Sequence, residues 1–305
     1  MHKFTPVYTL WSDGATKQRY VYMPPGGKIT TDAAANGMEF WEFPVGFKLW
    51  KDFSRDGKLI ETRLLMKTGG LADWYMMAFL WKDDYSDAVA VPMGQMNAMA
   101  TQHDVPPQEA CTGCHGTMWD NALGFTALML SHNLPDSLNL QQIDQMGWLT
   151  KSPAAAGYAL PGTQAEKDAF GYLHANCGMC HNSQSKIYKT KVGLDLWTHL
   201  DELSDVTKLK AYLSTVCDQW PAGANPATTI SSCEAGHATG TNMDTDISKL
   251  KRITPKDKAN SGLYDLMSLR GTGMADMMKQ MPPIGTEVAD TDGLAKLETL
   301  INGLP

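Results

Sequence analysis

LIETRLLM (Leu59 to Met66) and WYMMAFLW (Trp74 to Trp81), separated by the pair Gly69-Gly70, are the segments that indicate the fold. In the first segment one set of alternate residues is Ile60, Thr62, Leu64 and Met66, and the intervening set includes Glu61 and Arg63. A period of two is that of a β-strand, whose successive side chains point to opposite faces. The second segment, aromatic and bounded by turn residues, predicts a strand buried on both faces.

Three further strands are expected upstream, around Arg19 to Met23, Glu39 to Phe43 and Phe47 to Phe53. Turn residues separate them, including PPGG, Pro44 and the pair Asp56-Gly57. From about Pro106 onward the hydrophobic pattern becomes helical. The sequence therefore predicts an α+β fold with an N-terminal antiparallel sheet followed by helices.

Two helices near the C-terminus have clear start signals. Thr163-x-x-Glu166 is a capping box that opens a helix with Ala165, Ala169, Phe170 and Leu173 on one face. The turn from Asp290 to Gly293 opens the last helix. Its apolar face consists of Leu294, Leu297, Leu300, Ile301 and Leu304. Between these two helices lies a long insertion, about residues 187–270.

Composition limits the class of protein. With 305 residues, of which 43% are hydrophobic, the chain can bury one or two cores. We expect two domains, residues 1–160 and 161–305.

The net charge of −7 disfavours nucleic acid and favours redox protein partners with a basic docking face. The longest apolar run is Trp74 to Trp81, much shorter than the roughly 18 residues of a membrane span, so no transmembrane segment is expected.

Four of the six cysteines lie in two CxxCH motifs, CTGCH (Cys111, Cys114, His115) and CGMCH (Cys177, Cys180, His181). Two thiols at this spacing can each bond one vinyl group of a porphyrin, while the next residue's imidazole binds the iron. A CxxC pair alone could instead be half of a zinc site or a redox-active dithiol. The motifs begin 66 residues apart, too far for a zinc ribbon. The pattern predicts two covalently bound haem c groups, with His115 and His181 as proximal ligands.

The remaining cysteines, Cys217 and Cys233, are expected to form a disulfide, with two free thiols as the alternative. A disulfide requires an oxidising compartment, and haem is likewise attached outside the cytoplasm in bacteria. We therefore expect a periplasmic, extracellular or cell-surface location, reached by a signal peptide that has been removed.

The order of capped helix, CxxCH, MPP loop and final amphipathic helix resembles class I cytochrome c, from about Thr163 to the C-terminus. The resemblance implies that Met281, in the loop Met281 to Pro283, is the sixth ligand of the second haem. The long insertion departs from that family. It leaves other residues open as ligands: Met274, Met277, Met278, His199 and His237. His174, three residues before Cys177, is expected to lie near this haem.

The stretch FPVGFKLWKDF (Phe43 to Phe53), then DGKLIETRLLM, an aromatic strand and CTGCH resembles the cytochrome P460 and cytochrome c′-β family over roughly residues 40–116. In that family a sheet packs over an often five-coordinate haem, and in P460 a lysine cross-links to it. Lys51 stands in the corresponding strand, but we favour a solvated strand lysine or a propionate partner over the cross-linking role. Candidate sixth ligands of the first haem are His132, Met129, His103 and Met23.

The whole chain also resembles a family of bacterial dihaem c-type cytochromes. The residues that carry this resemblance are WSDG (Trp11 to Gly14), PVG (Pro44 to Gly46), YLHANCGMCHN (Tyr172 to Asn182) and MPPIGT (Met281 to Thr286). It supports the dihaem architecture without specifying a substrate.

Three functions are compatible with this sequence. The first, which we favour, is electron transfer, since axial ligands and burial set haem potentials. The second is a haem enzyme or small-ligand-binding protein in which a five-coordinate first haem acts on peroxide, NO or a reduced nitrogen compound. Aromatic residues of the sheet could line that haem: Phe47, Trp50, Phe53, Trp74, Phe79 and Trp81. The third is a subunit of an oligomer or multihaem complex.

Overall fold

The computed structural model describes residues 1–31, 37–185, 194–216, 252–271 and 280–305. The chain divides into two compact units, Met1–Tyr158 and Ala159–Pro305. An antiparallel sheet occupies the N-terminal part of the first unit, and helices follow it along the chain. The predicted α+β fold, with the sheet preceding the helices, is confirmed. No helix within the described ranges is both long enough and apolar enough to cross a membrane.

Six strands form the sheet, and their spatial order is their order in the sequence. They are β1 (His2–Phe4), β2 (Thr16–Tyr22), β3 (Lys48–Arg55), β4 (Lys58–Lys67), β5 (Trp74–Trp81) and β6 (Ala88–Ala90). Each strand pairs antiparallel with the next. Asp56 and Gly57, which join β3 to β4, have φ of 53° and 76°. A two-residue hairpin turn of this hand matches the twist of the flanking strands.

The prediction of a strand from Glu39 to Phe43 is wrong. This segment makes only a single bridge, between Thr30 and Glu42. The Phe43 N–H donates instead to the Asp120 carboxylate, so it cannot contribute to a strand ladder. Trp41 and Phe43 are instead buried in an aromatic cluster around Phe125.

The expectation that β5 is buried on both faces holds only for its middle. Met76, Met77 and Ala78 are buried, whereas the ends of the strand are half-buried and Tyr75 is 38% exposed. β6 pairs only with the last three residues of β5, Phe79 to Trp81.

The sheet buries charged residues. Leu49, Lys51 and Phe53 of β3 are buried, while the intervening residues are half-buried. In β4 the carboxylate residue Glu61 is fully buried, although the apolar set with Leu64 and Met66 lies on the other face. Hydrophobic alternation alone would have placed the apolar set inside. A polar site therefore lies on the inner face of this sheet.

Seven α-helices are described along the chain. They are α1 (Cys111–His115), α2 (Ala127–Leu130), α3 (Leu140–Gln145), α4 (Gln164–Asn176), α5 (Lys210–Thr215), α6 (Gly262–Ser268) and α7 (Thr291–Gly303). The capping box at Thr163 and Glu166 is formed as predicted. Asp290 caps α7 through the Gly293 N–H, so both predicted helix starts are confirmed.

Helices α4 and α7 pack against each other with very little space between them. A Cβ atom added to Gly293 of α7 would lie 2.2 Å from the Tyr172 Cζ of α4. The hydroxyl of Tyr172 also hydrogen-bonds to Asp290, the N-cap of α7. Glycine is therefore the residue that permits this helix contact.

Candidate haem sites

The first CxxCH motif forms helix α1, and the orientation of His115 follows from one hydrogen bond. Its Nδ1 lies 2.6 Å from the backbone carbonyl oxygen of Asn121. Because a carbonyl only accepts, Nδ1 must carry the proton, and Nε2 retains its lone pair. Burial also lowers the pKa of His115 well below its usual value. The ring is thus held neutral with Nε2 ready to bind a metal, as a proximal haem ligand requires.

Asp120 ties the segment after this motif to the sheet. Its carboxylate accepts hydrogen bonds from Phe43 N–H, Lys67 Nζ, Ala72 N–H and Trp74 Nε1. The next residue, Asn121, donates from Nδ2 to the Ala72 carbonyl at 3.0 Å. Since the Asn121 carbonyl accepts the His115 proton, these contacts also position the imidazole. Sequence reasoning missed Asp120, because nothing in its neighbourhood along the chain shows which groups it contacts.

The thiols of the motifs are unsuited to thiol–disulfide exchange. All four CxxCH cysteines are free and half-buried. Burial raises the pKa of Cys111 and Cys114 despite nearby cations, and it raises the pKa of Cys177 to about 12. A redox-active CxxC requires a lowered thiol pKa. The dithiol alternative is therefore disfavoured.

The inner face of the sheet presents two rows of side chains toward α1, which we call the motif face. In the first row Arg19, Lys51 and Arg63 lie directly opposite one another on β2, β3 and β4. The second row consists of Lys17, Phe53 and Glu61. The cations at positions 51 and 63 act electrostatically on both thiols of the first motif, which places this face beside the motif.

Lys51 is only 7% exposed, so the alternative of a solvated strand lysine is wrong. Burial and the neighbouring cations Arg19 and Arg63 lower the pKa of Lys51 to about 7. Its expected position near the first haem stays a prediction, and its proximity to the Cys114 and Cys111 thiols supports that prediction.

His103 is buried and held by Glu61 on the motif face. Its Nε2 lies 2.7 Å from Glu61 Oε1, which also accepts two hydrogen bonds from Arg63. The ring of Phe53 contacts the His103 ring and the Arg63 guanidinium. Because its Nε2 is engaged by a carboxylate, His103 is a poor candidate for the sixth iron ligand in this arrangement.

The Glu61 ion pair predicts a pH-dependent contribution to stability. Burial alone would raise the pKa of Glu61, but Arg63 and His103 outweigh it and hold the pKa below its usual 4.5. A depressed carboxyl pKa stabilises the fold above pH 4.5, and this contribution is lost as the pH falls through the folded-state pKa. We expect Glu61→Gln to lower the free energy of unfolding by about 2–3 kcal/mol at pH 7. The difference from wild type should narrow on acidification.

Urea unfolding between pH 7 and pH 3 measures this difference. Glu109→Gln, which changes an exposed carboxylate just before the same motif, is the matched control and should follow the wild type throughout. A Glu61→Gln deficit that stayed constant from pH 7 to pH 3 would contradict the assigned direction of the pKa shift.

The other proposed sixth ligands of the first haem are separated by the fold. Met129 is 2% exposed within α2, in the core. His132 follows the short helix α2, and its Nδ1 accepts from the Leu134 N–H. The sulfur of Met23 lies against Gly27 in its own turn. None of these contacts places a ligand at the motif.

The aromatic residues proposed to line the first haem are divided between the two faces of the sheet. Phe53 lies on the motif face, whereas Trp50 and Phe79 alternate onto the opposite face. Trp81 is also on that face, where its Nε1 donates to Thr62. A fully aromatic pocket built from all six residues is therefore excluded.

The second CxxCH motif follows α4 directly. The Leu196 N–H donates to the His181 carbonyl at 2.8 Å, so the segment beginning at residue 194 lies against the motif. A Cβ atom at Gly178 would come within 2.7 Å of the His174 carbonyl oxygen, so this position requires glycine. Burial lowers the pKa of His181 to about 4, and its buried Nδ1 has no hydrogen-bond partner. Among the described residues, no acceptor therefore fixes the tautomer of His181 in the way that the Asn121 carbonyl fixes that of His115.

His174 organises the surroundings of the second motif. It is 2% exposed, accepts the Thr198 N–H at Nδ1, and packs on the Trp197 ring at 4.2 Å. His199, a rival sixth ligand, is also buried, with its Nε2 3.4 Å from Asp195 Oδ2.

The loop that carries Met281 is fixed by its neighbours. The Met281 N–H donates to the Leu266 carbonyl of α6. Gln280, which is 1% exposed, accepts the Gly271 N–H and donates to the carbonyls of Pro282 and Thr286. Met281 is half-buried, and its role as the sixth ligand stays a prediction. The proposed disulfide and several rival ligands lie outside the described residues: Cys217, Cys233, His237, Met274, Met277 and Met278.

Comparison of the chain with protein-family models, with curated proteins and with solved structures finds no match in any of the three.

Proposed function

We propose that this chain is an extracytoplasmic dihaem c-type cytochrome that transfers electrons between protein partners. The observation that carries the proposal is the neutral His115 ring, with Nδ1 donating to Asn121 and Nε2 left for iron, immediately after two free thiols. The same residue pattern recurs at Cys177, Cys180 and His181. A bound haem c supplies one-electron ferric–ferrous chemistry.

The residues of the chain then have distinct tasks. The four motif cysteines would hold the two haem groups covalently, and His115 and His181 would bind their irons. Asn121 fixes the His115 tautomer, and Met281 is the proposed sixth ligand of the second haem. These assignments extend the resemblance to class I cytochrome c in residues 161–305 and to the cytochrome P460 and c′-β family in the sheet.

The test is covalent haem content. We expect the wild-type protein, produced with a c-type haem maturation system, to retain two haems per chain after denaturation, measured by mass and by pyridine haemochrome absorbance. Cys111→Ala/Cys114→Ala and Cys177→Ala/Cys180→Ala should each retain one haem. Cys217→Ala/Cys233→Ala removes the same number of thiols outside the motifs and should retain two. A wild-type protein without covalent haem would overturn the proposal.

A second candidate function is small-ligand binding at the first haem. The observation that favours it is the engagement of His103 by Glu61, together with the burial of Met129 in the core. These two observations disfavour two of the four candidate sixth ligands of that haem. A CO adduct of the reduced protein at one of the two haems would favour this function, while two low-spin haems without a CO adduct would favour electron transfer alone.

A further inference from the structure

Three cations in one row of the motif face have no balancing anion among them. Arg19, Lys51 and Arg63 are directly cross-strand from one another. Like charges at such positions destabilise a sheet, and buried charges are normally paired. A row of this kind needs a counter-charge.

Arg63, on β4 at one end of the row, has a counter-charge in Glu61, with an Nη2 to Oε1 distance of 2.5 Å. The nearby Lys17 donates to the Trp11 carbonyl and lies over the Phe53 ring. Arg63 and Lys17 therefore already have partners within the protein and need no bound anion.

Arg19 and Lys51 differ from them. Arg19 is 4% exposed and its Nη2 has no hydrogen-bond partner, and Lys51 is 7% exposed. In the part of the chain that the structure describes, neither residue forms an ion pair. These two buried, adjacent cations, one of which has an orphaned donor, form a site of positive charge, and its Lys51 member lies beside Cys111 and Cys114.

We propose that Arg19 and Lys51 form a buried anion-binding site next to the CTGCH motif, whose ligand is a carboxylate or a small inorganic oxyanion. A planar oxyanion can accept from the guanidinium of Arg19 and from the ammonium of Lys51 together. Two sources supply this chemistry: a propionate of the haem at the first motif, or a free anion such as nitrite. The first source rests on the proposed function, whereas the second does not.

The sign of a stability change tests the site itself. If no anion binds, replacing one of three adjacent cations relieves repulsion, so Arg19→Gln and Lys51→Met should raise the melting temperature of the purified protein. If an anion is bound, both variants lose its contacts, and the melting temperature should fall by about 3 °C or more. Lys48→Met is the matched control, since Lys48 lies on the same strand and the opposite face. It should change the melting temperature little.

Titration with sodium nitrite at constant ionic strength separates the two sources. A free-anion site predicts a saturable rise in the melting temperature of the dihaem protein that Arg19→Gln abolishes. A propionate-filled site predicts no response of the dihaem protein, but a saturable rise in Cys111→Ala/Cys114→Ala, which lacks the first haem. It also predicts that Arg19→Gln lowers the reduction potential of the first haem more than Lys48→Met does, because a cation near the iron is lost.

The inference is overturned if both single variants are stabilised and nitrite leaves the melting temperature of every protein unchanged. Haem content, measured on the same samples after denaturation, keeps this result separate from the proposed function. A protein without covalent haem that still shows nitrite-dependent stabilisation removed by Arg19→Gln would support the site and reject the cytochrome.

Discussion

Asp120→Ala is expected to lower the free energy of unfolding of the first unit by about 3–5 kcal/mol, because it leaves the buried Lys67 charge without its partner. It also removes the acceptor of the Phe43 N–H, Ala72 N–H and Trp74 Nε1. Both members of the ion pair are almost completely buried, so solvent cannot replace these contacts. Urea unfolding monitored by tryptophan fluorescence measures the loss.

The same variant should also loosen the ligation of the first haem. Asn121, whose carbonyl holds the His115 Nδ1 proton, is covalently attached to Asp120. We expect the reduction potential of one haem only to shift, as measured by spectroelectrochemical titration of the dihaem protein. A loss of stability alone would leave both potentials unchanged.

Two companion variants make the Asp120 prediction specific. Asp83→Ala removes an exposed aspartate of the same unit and should change stability by less than about 0.5 kcal/mol. Lys67→Met in the Asp120→Ala background should recover part of the loss in the free energy of unfolding, since an unpaired buried charge is removed. An Asp120→Ala protein as stable as Asp83→Ala would contradict the assigned network.

Gly293→Ala is expected to destabilise the second unit by about 3 kcal/mol. The added methyl group would lie 2.2 Å from Tyr172 Cζ and 2.4 Å from its hydroxyl oxygen, so helices α4 and α7 must separate. Overpacking of this kind typically costs about 1–3 kcal/mol, and separation would also strain the hydrogen bond between Tyr172 and Asp290. Thermal unfolding followed by absorbance in the Soret region of a protein that retains only the second haem measures the effect.

Gly303→Ala provides the matched control on the same helix. An added Cβ at Gly303 meets no atom within 4 Å, so this variant should be neutral or slightly more stable, given the higher helix propensity of alanine. Tyr172→Val combined with Gly293→Ala should be less destabilised than the sum of the single changes. If Gly293→Ala behaved like Gly303→Ala, the close helix contact would be refuted.

Three features were predictable from the sequence because each depends on residues close together in the chain. They are the hairpin of β3 and β4, the capping box at Thr163 and the amphipathic face of α7. The strand expected at Glu39 to Phe43 was wrong for the complementary reason. Its backbone is engaged by Asp120, 77 residues away from Phe43, and no local pattern reveals a partner at that distance.

By itself the sequence determined the α+β order of elements and the two CxxCH motifs, because secondary-structure patterns and the CxxCH spacing both lie within short runs of residues. Only the tertiary structure decided that Glu61 and Lys51 point inward, that Glu61 engages His103, and that Asp120 positions the segment holding His115. Strand alternation separates two faces but does not say which one is buried. The buried face is decided by the segments that pack on the sheet. In this protein the buried face is the charged motif face, which lies beside the first CxxCH motif.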